Sequence, residues 1–484
     1  MNIPDDELYA LLRQPLAART GATRQRTLYL ALRDAIRNGR LKSGSLLPGS
    51  RVLAQALVLS RNTVNTALEQ LAVEGYVLRD RQGTRVATLA NVERSSQTPP
   101  PVRLARGVQQ LPGGVQRYSP ALAFTPGIPA ANYFPLAIWR RLTERVWRDE
   151  GNALLNYGAS AGELRLRAAI ARHLAISRGI HCDAEQIVIT EGAQEALMLC
   201  VRLLCDAGDK AWVEEPSYGG AKTAFLSAGL NVTGIGVDNE GMRLDVTATT
   251  PRIIYTSPSH QYPLGQVMSA TRRLALLDYA GRTGSWIIED DYDSEFRYPG
   301  EPIPAMLGMV AHPPVVYIGT FSKTLFPSLR IGFMVMPPAL AQAAAPVIGS
   351  LLRGGHRAEQ LTLARFIEEG HYTRHLAAMR RLYRKRQAHL LEALHSEIRV
   401  EHHIYGGGGG LHLALSIPGI DDQALVREAH KLQLAPHALS RFWLKQNAAS
   451  SGLVLGYGNT SAARFPAAVS ALNRLIVRQQ GGLG

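Results

Sequence analysis

The chain is poor in cysteine and lysine, with three Cys and seven Lys in 484 residues. Cys182, Cys200 and Cys205 are too few for a disulfide framework, and no CxxC spacing offers a zinc site, so no metal is expected. A reduced, cytoplasmic compartment is the simplest reading. No apolar run approaches the ~20 residues that span a bilayer. The N-terminal MNIPDDELYALLRQPLA has no apolar signal core, so no membrane partner is expected. Charged residues make up only 19%, but hydrophobic residues reach 46%, which excludes wholesale disorder. The length exceeds a single core of ~100–200 residues and predicts at least two domains.

What the chain has in excess is arginine. It carries 53 Lys+Arg against 39 Asp+Glu, a net charge of +14. Residues 1–90 hold 13 Lys+Arg against 7 Asp+Glu, nearly half of that excess in under a fifth of the chain. The asymmetry points to a basic N-terminal module and an anionic partner.

The patterns divide the chain into an arm (1–23), a small helical module (24–88), a linker (89–120) and a large domain (121–484). In the module, apolar residues Leu28, Leu32, Ala35 and Ile36 predict a helix over 24–38. Ser50 and Ser60 are expected to cap helices over 51–58 and 61–74. YVLRDRQGTRVAT reads as a hairpin with Gln82-Gly83 at its tip. Two short helices and a hairpin make a winged helix-turn-helix, whose partner is double-stranded DNA. Its candidate DNA-binding residues are Arg51, Ser60, Arg61, Asn62, Thr63 and Asn65 on the helices, and Arg81 and Arg85 on the wing. The linker, with Pro99–Pro101 and a Gly pair, has no apolar period.

The large domain alternates helices with the apolar runs QIVIT, AWVEEP, RIIYTSP, SWIIEDD and VVYIGTF. This is an α/β pattern with a mostly parallel sheet, and ligands bind beyond the C-terminal ends of such strands. A long basic stretch, 356–395, is predicted helical, and Gly406–Gly410 is a flexible or close-approach segment. Lys323 follows one apolar run. A desolvated lysine suits a Schiff base with a carbonyl cofactor. Thr320, Ser322 and Arg330 nearby suit a phosphate, as do the backbone amides of Gly192, Ala193 and Gln194 at a helix start. Asp290 suits a protonated pyridine nitrogen, Tyr292 a phenolate oxygen, and Tyr218 an aromatic ring.

Two resemblances sharpen these readings. GRLKSGSLLPGSRVLAQALVLSRNTVNTALEQLAVEGY resembles the DNA-binding domain of the GntR family of bacterial transcription regulators. TEGAQEAL, EEPSYGG, SPSHQYPLG, IEDDYDSEF and YIGTFSKTLFPSLRIGF resemble the fold-type I, aspartate-aminotransferase-like family. That family binds pyridoxal 5′-phosphate (PLP). The combination is that of the MocR subfamily. It implies Lys323 as Schiff-base lysine, Asp290 on the ring nitrogen, Tyr292 on O3′, Tyr218 on the ring face, and a homodimer. It also implies that PLP or an amino compound is the effector, in vitamin B6 or amino-compound metabolism. An active aminotransferase with an autoregulatory DNA-binding domain is the alternative.

The chain departs from aminotransferases at two places. His260-Gln261-Tyr262-Pro263 stands where Asn-Pro is usual, leaving His260 or Gln261 to replace the Asn. Val454 stands where an Arg usually clamps the substrate carboxylate, leaving Arg441 as a candidate for an effector carboxylate. Gly220 stands where the γ-aminobutyrate-responsive member of the subfamily has Arg.

Overall fold

The computed structural model describes residues 4–17, 22–89, 102–109, 111, 122–244, 249–298, 303–444 and 450–481. It forms two compact units, Met1–Arg103 and Leu104–Gly484. Of the expected arm and linker, residues 1–3, 18–21, 90–101, 110 and 112–120 lie outside the described residues.

The first unit contains α1 (Asp5–Ala17), α2 (Arg24–Arg37), β1 (Leu46–Leu47), α3 (Ser50–Leu57), α4 (Arg61–Val73), β2 (Val77–Asp80) and β3 (Gly83–Val86). α2 and α4 bury one stripe each: Leu28, Leu32, Ala35 and Ile36 meet Val64, Ala67, Leu68 and Leu71. α1 belongs to the same core through Leu8 and Leu12, and Arg13 donates to the Ala56 carbonyl at 2.8 Å. The expected arm therefore carries a packed helix.

Ser60 caps α4, its Oγ accepting from the Thr63 amide at 3.1 Å, a contact worth ~1 kcal/mol. The cap expected of Ser50 does not form. Gly49 takes the cap position, and Ser50 is already the first helical residue of α3. The hairpin tip is Arg81-Gln82 rather than Gln82-Gly83. Asp80 pairs with Gly83, and the Asp80 carboxylate accepts from the Gln82 amide at 2.7 Å. Gly83 takes φ 128°, which releases it into β3 directly after the turn. β1 pairs with β3 as a third strand; two residues are too few to show a period in sequence.

The second unit opens with α5 (Arg106–Gln109), α6 (Leu136–Glu150), α7 (Leu164–Ser177), β4 (Ile187–Thr190), α8 (Ala193–Leu204), β5 (Lys210–Glu215) and α9 (Gly219–Ser227). It continues with β6 (Asn231–Asp238), β7 (Gly241–Met242), β8 (Ile253–Thr256), α10 (Ala270–Thr283), β9 (Trp286–Asp291), β10 (Val315–Thr320) and β11 (Gly332–Val335). Their sheet runs β4-β11-β10-β9-β8-β5-β6-β7. The β10-β9-β8-β5-β6 centre is parallel, while β11 and β7 run antiparallel. Strands β4, β8 and β11 are buried along their whole length, as apolar runs covered on both faces must be.

The rest is α11 (Pro338–Leu351), α12 (Arg357–Glu368), α13 (His371–Glu397), β12 (His403–Tyr405), β13 (His412–Ser416), α14 (Asp422–Lys431), β14 (His437–Ala438), β15 (Gly452–Gly456) and α15 (Phe465–Gly481). The basic stretch 356–395 is thus two helices, separated by Gly370 at φ 72°. Strands β12-β13-β15-β14 make a small antiparallel sheet.

Candidate functional site

The C-terminal ends of β4, β5, β8, β9 and β10 open onto a cavity of ≈ 360 Å³. Lys323 enters it three residues after β10, its Nζ donating to the Gly127 carbonyl at 2.9 Å. Gly127 has φ 72°, and a Cβ there would stand 2.7 Å from Nζ, so that corner requires glycine. Burial pushes the Lys323 amine below its ordinary pKa, against the opposing pull of Asp293 and Asp290. An amine held in that way has a larger neutral, nucleophilic fraction.

Asp290 lies near the end of β9 and is 4% exposed. Its Oδ2 accepts from the Tyr255 hydroxyl at 2.6 Å, while Oδ1 is buried with no hydrogen-bond partner among the described residues. Burial raises this carboxyl to about 7, so its ionised form needs a cation opposite. A protonated pyridine nitrogen supplies that cation and fills the open position. The residues present therefore fit a pyridine cofactor.

The residues expected to suit a phosphate line the same cavity. Gly192 takes φ 81° and caps α8 without a side chain, so Ala193 and Gln194 present first-turn amides. Arg330 sits 3.5 Å from the Cβ position of Gly192 and donates to the Glu191 carbonyl at 2.6 Å. Thr320 Oγ1 accepts from the Ser322 amide at 3.2 Å, and both residues line the cavity. Tyr218 caps α9 and also lines it. A side chain at Gly220 would run into the Tyr218 ring and would come within contact of Gln194. An arginine at that position is incompatible with the present Tyr218.

The segment after β8 departs from expectation. Gln261 turns away from the cavity: its Nε2 donates to the Pro216 and Tyr262 carbonyls, at 2.7 and 2.9 Å. His260 does not line the cavity; it reaches it through Tyr292, whose hydroxyl is 2.8 Å from His260 Nδ1. The residue that faces the cavity from this segment is Tyr262. Val454 on β15 is fully buried, packed with Leu264, Ala414, Leu439 and Phe442. Arg441 is exposed, with its guanidinium 5.5 Å from the Phe442 ring, and it acts electrostatically on Tyr262 and His437.

Sequence reasoning missed Tyr255, Tyr262, Asp293, His412 and His437. Tyr255 alternates within an apolar run and was readable as core; the histidines sit on strands of the small sheet with no motif around them. Burial depresses His412 to about 3 and His437 to about 4, so both are neutral at neutral pH. His260, Asp293 and His412 are buried with ligand-type atoms within 4.8 Å of one another, a grouping no spacing announced. His260 and Asp293 hydrogen-bond each other, and His412 Nε2 is 2.9 Å from the Pro263 carbonyl.

In the first unit Arg51, Arg61, Asn62 and Arg81 are exposed, and Thr63, Asn65 and Arg85 half-buried. None of these four arginines has a carboxylate within ion-pair distance among the described residues. Ser60 and Thr63 are partly committed to the cap, their hydroxyls 2.8 Å apart.

Comparison with known proteins fits both units. Residues 24–86 match the family of bacterial regulatory proteins of the gntR type, and residues 129–428 match aminotransferase class I and II. The "Probable rhizopine catabolism regulatory protein MocR" of Rhizobium meliloti is 39% identical over 469 residues, 95% of each chain. The chain belongs to the MocR-type GntR transcription regulators. The "HTH-type pyridoxine biosynthesis transcriptional regulator PdxR" of Corynebacterium glutamicum is 31% identical over 88% of this chain and 90% of its own. LysN, the α-aminoadipate aminotransferase of Thermus thermophilus, solved with N-(5′-phosphopyridoxyl)-L-leucine, superposes with TM-score 0.71. It is 26% identical over 78% of this chain and 98% of its own. This regulator therefore joins a winged helix-turn-helix to a fold-type I domain whose cofactor is PLP. GntR-type regulators bind DNA through the first unit. Among the described residues, no helix is long and apolar enough to cross a membrane.

When bound, PLP supplies an electron sink and an electrophilic carbonyl carbon. The chain's own residues do the rest. Lys323 would offer the amine, Asp290 would hold a proton at the ring nitrogen, and Arg330, Ser322, Thr320 and the α8 amides would hold the phosphate. The Tyr218 and Tyr262 rings wall the cavity.

Proposed function

We propose that PLP or an amino compound, acting at Lys323, controls how this regulator engages its operator. The observation that carries the reading is the contrast between the cavity and the clamp position. Its cofactor end is complete, with Asp290 Oδ1 left open for a ring nitrogen. The aminotransferase clamp position, Val454 on β15, is apolar, fully buried and absent from the cavity lining. Such a cavity suits sensing better than turnover. Arg441, exposed and without a carboxylate partner among the described residues, is the side chain available to meet an effector carboxylate.

Arg51, Arg61, Asn62, Asn65, Arg81 and Arg85 are the proposed DNA contacts, with Ser60 and Thr63 shaping the start of α4. Residues 24–88 form the reader, 89–120 the linker, and 121–484 the sensor. A homodimer is supported by large apolar side chains left on the second unit's surface: Leu155 is 72%, Tyr157 91% and Leu164 56% exposed. A dimer places two readers on two half-sites of one operator. The compartment that suits such a protein is the cytoplasm.

The test is a titration of purified protein with PLP and then with candidate amines, following the visible band and operator binding together. Effector-dependent operator binding without steady-state transamination is the expected result. Sustained turnover with several amino donors and keto acids would overturn the sensor reading in favour of an active aminotransferase.

A further inference from the structure

Beside Tyr292 lies a buried pair of side chains, Asp293, which also lines the cavity, and His260, which does not. Asp293 is 2% exposed, and His260 Nδ1 is 3.0 Å from its Oδ1 and 3.2 Å from its Oδ2. The same Nδ1 is 2.8 Å from the Tyr292 hydroxyl. One nitrogen thus faces two partners, and it carries at most one hydrogen.

Two arrangements are conceivable. If Nδ1 carries the hydrogen, it donates to the Asp293 carboxylate and the Tyr292 oxygen alike. If Nδ1 is bare, Tyr292 donates to it, and both carboxylate oxygens then face a lone pair. Among the described residues, His260 is the sole side-chain hydrogen-bond partner of this buried carboxylate. A charge-assisted bond to a buried carboxylate outweighs a neutral phenol–imidazole bond, so the first arrangement prevails.

The surroundings hold the pair in place. Gly410 brings backbone against both side chains, since a Cβ there would lie 2.6 Å from Asp293 Oδ2. Gly265 does the same on the other edge, 2.9 Å from Nε2. His260 Nε2 is buried with no hydrogen-bond partner among the described residues, as suits a nitrogen without a hydrogen. Among the described residues, the titratable groups in contact with His260 are Asp293 and Tyr292 beyond β9, and His412 on β13, whose ring centre is 5.3 Å away; Tyr262 on its own segment packs on Tyr292 and His412.

We propose that Asp293 and His260 are positioning residues that lock Tyr292 as a one-way hydrogen-bond donor to the cofactor's phenolic oxygen. With its own oxygen accepting from Nδ1, the Tyr292 phenol has its hydrogen free for the cavity it lines. The proposal rests on the reading of Tyr292 as the neighbour of that oxygen. It gives the departure from Asn-Pro a physical role: His260 acts on the oxygen through Tyr292.

A hydrogen bond donated to the phenolic oxygen stabilises its anionic form. The adjoining Lys323 nitrogen then releases its proton at lower pH. The experiment is a pH titration of the visible band in full-length, PLP-loaded protein, comparing wild type with Tyr292→Phe, His260→Ala and Asp293→Asn. Asp293→Asn is nearly isosteric, and its amide donates to Nδ1 and so reverses the histidine tautomer. Thermal melting confirms that each variant is folded. The expected result is a midpoint raised by about one pH unit or more in Tyr292→Phe and His260→Ala. Asp293→Asn also removes a carboxylate that raises the Lys323 amine, so its midpoint should rise by less. His260→Ala added to Tyr292→Phe should give no further shift. A midpoint that moves in Tyr292→Phe but stays, or falls, in His260→Ala overturns the relay. A midpoint that does not move in Tyr292→Phe overturns the reading of Tyr292 itself.

Discussion

The two units use arginine in opposite ways. In the second unit Arg178, Arg273, Arg365 and Arg386 are 1–6% exposed and spend their charge inside the protein. Arg178 meets Asp291 at 2.8 Å and Ser259 at 2.6 Å, and Arg273 donates to the Pro258 and Pro304 carbonyls, at 2.8 and 3.0 Å. In the first unit Arg51, Arg61 and Arg81 stand in solvent with no carboxylate in reach among the described residues. A buried charge must be matched within the fold, whereas an unmatched surface charge remains available to a phosphate backbone. Net charge alone could not separate these uses; position and pairing do.

Breaking the comparison from the buried side has the largest effect. Arg178→Ala leaves Asp291 buried beside Tyr317, whose hydroxyl bonds the same oxygen at 2.6 Å. Denaturant unfolding of the second unit should show a loss of about 3–5 kcal/mol. A loss below about 1 kcal/mol would show that Arg178 is not matched internally.

A second test uses Asp290. Its native pKa, about 7, lies above the ordinary carboxyl value, so the folded state binds the extra proton. Its contribution is therefore favourable at low pH and is lost as pH rises from about 4 to 7. PLP-free wild type should lose stability relative to Asp290→Asn across that window, as read by melting temperature. His412 and His437, depressed to about 3 and about 4, give the opposite slope in both proteins and cancel in the difference.

From the exposed side, Arg61→Ala should weaken operator binding by about 1–3 kcal/mol and lower its salt dependence, with the visible band unchanged. Loss of operator binding and band together would indicate misfolding instead. The smallest effect belongs to Ser60→Ala. Removing the α4 cap should cost ~1 kcal/mol in unfolding of the first unit.

Much of this is legible in the sequence. The five apolar runs became β4, β5, β8, β9 and β10: four are central parallel strands covered on both faces, and β4 is a buried edge strand paired antiparallel with β11. Lys323 and the α8 amides were legible because they closely follow such a run, and Asp290 because it stands near the end of one. β6 was not foreseen: NVTGIGVD is mostly half-exposed and carries two glycines. The far wall of the cavity was also hidden. His412 and His437 come from the small sheet, more than 80 residues beyond Lys323, and only tertiary contact brings them there. Gln261 and His260 were equally plausible replacements for Asn in sequence. The hydrogen bonds of Gln261 to the Pro216 and Tyr262 carbonyls exclude it, and its neighbour Tyr262 takes the cavity face.

The central claim is that chemistry at Lys323 reaches the DNA reader. Operator affinity measured with and without PLP, and with an amine added, in wild type and in Lys323→Ala, tests it most directly. The account expects the ligands to change operator affinity in wild type only, with the visible band absent from the variant and its ligand-free operator binding retained. An unchanged ligand response in Lys323→Ala would contradict it.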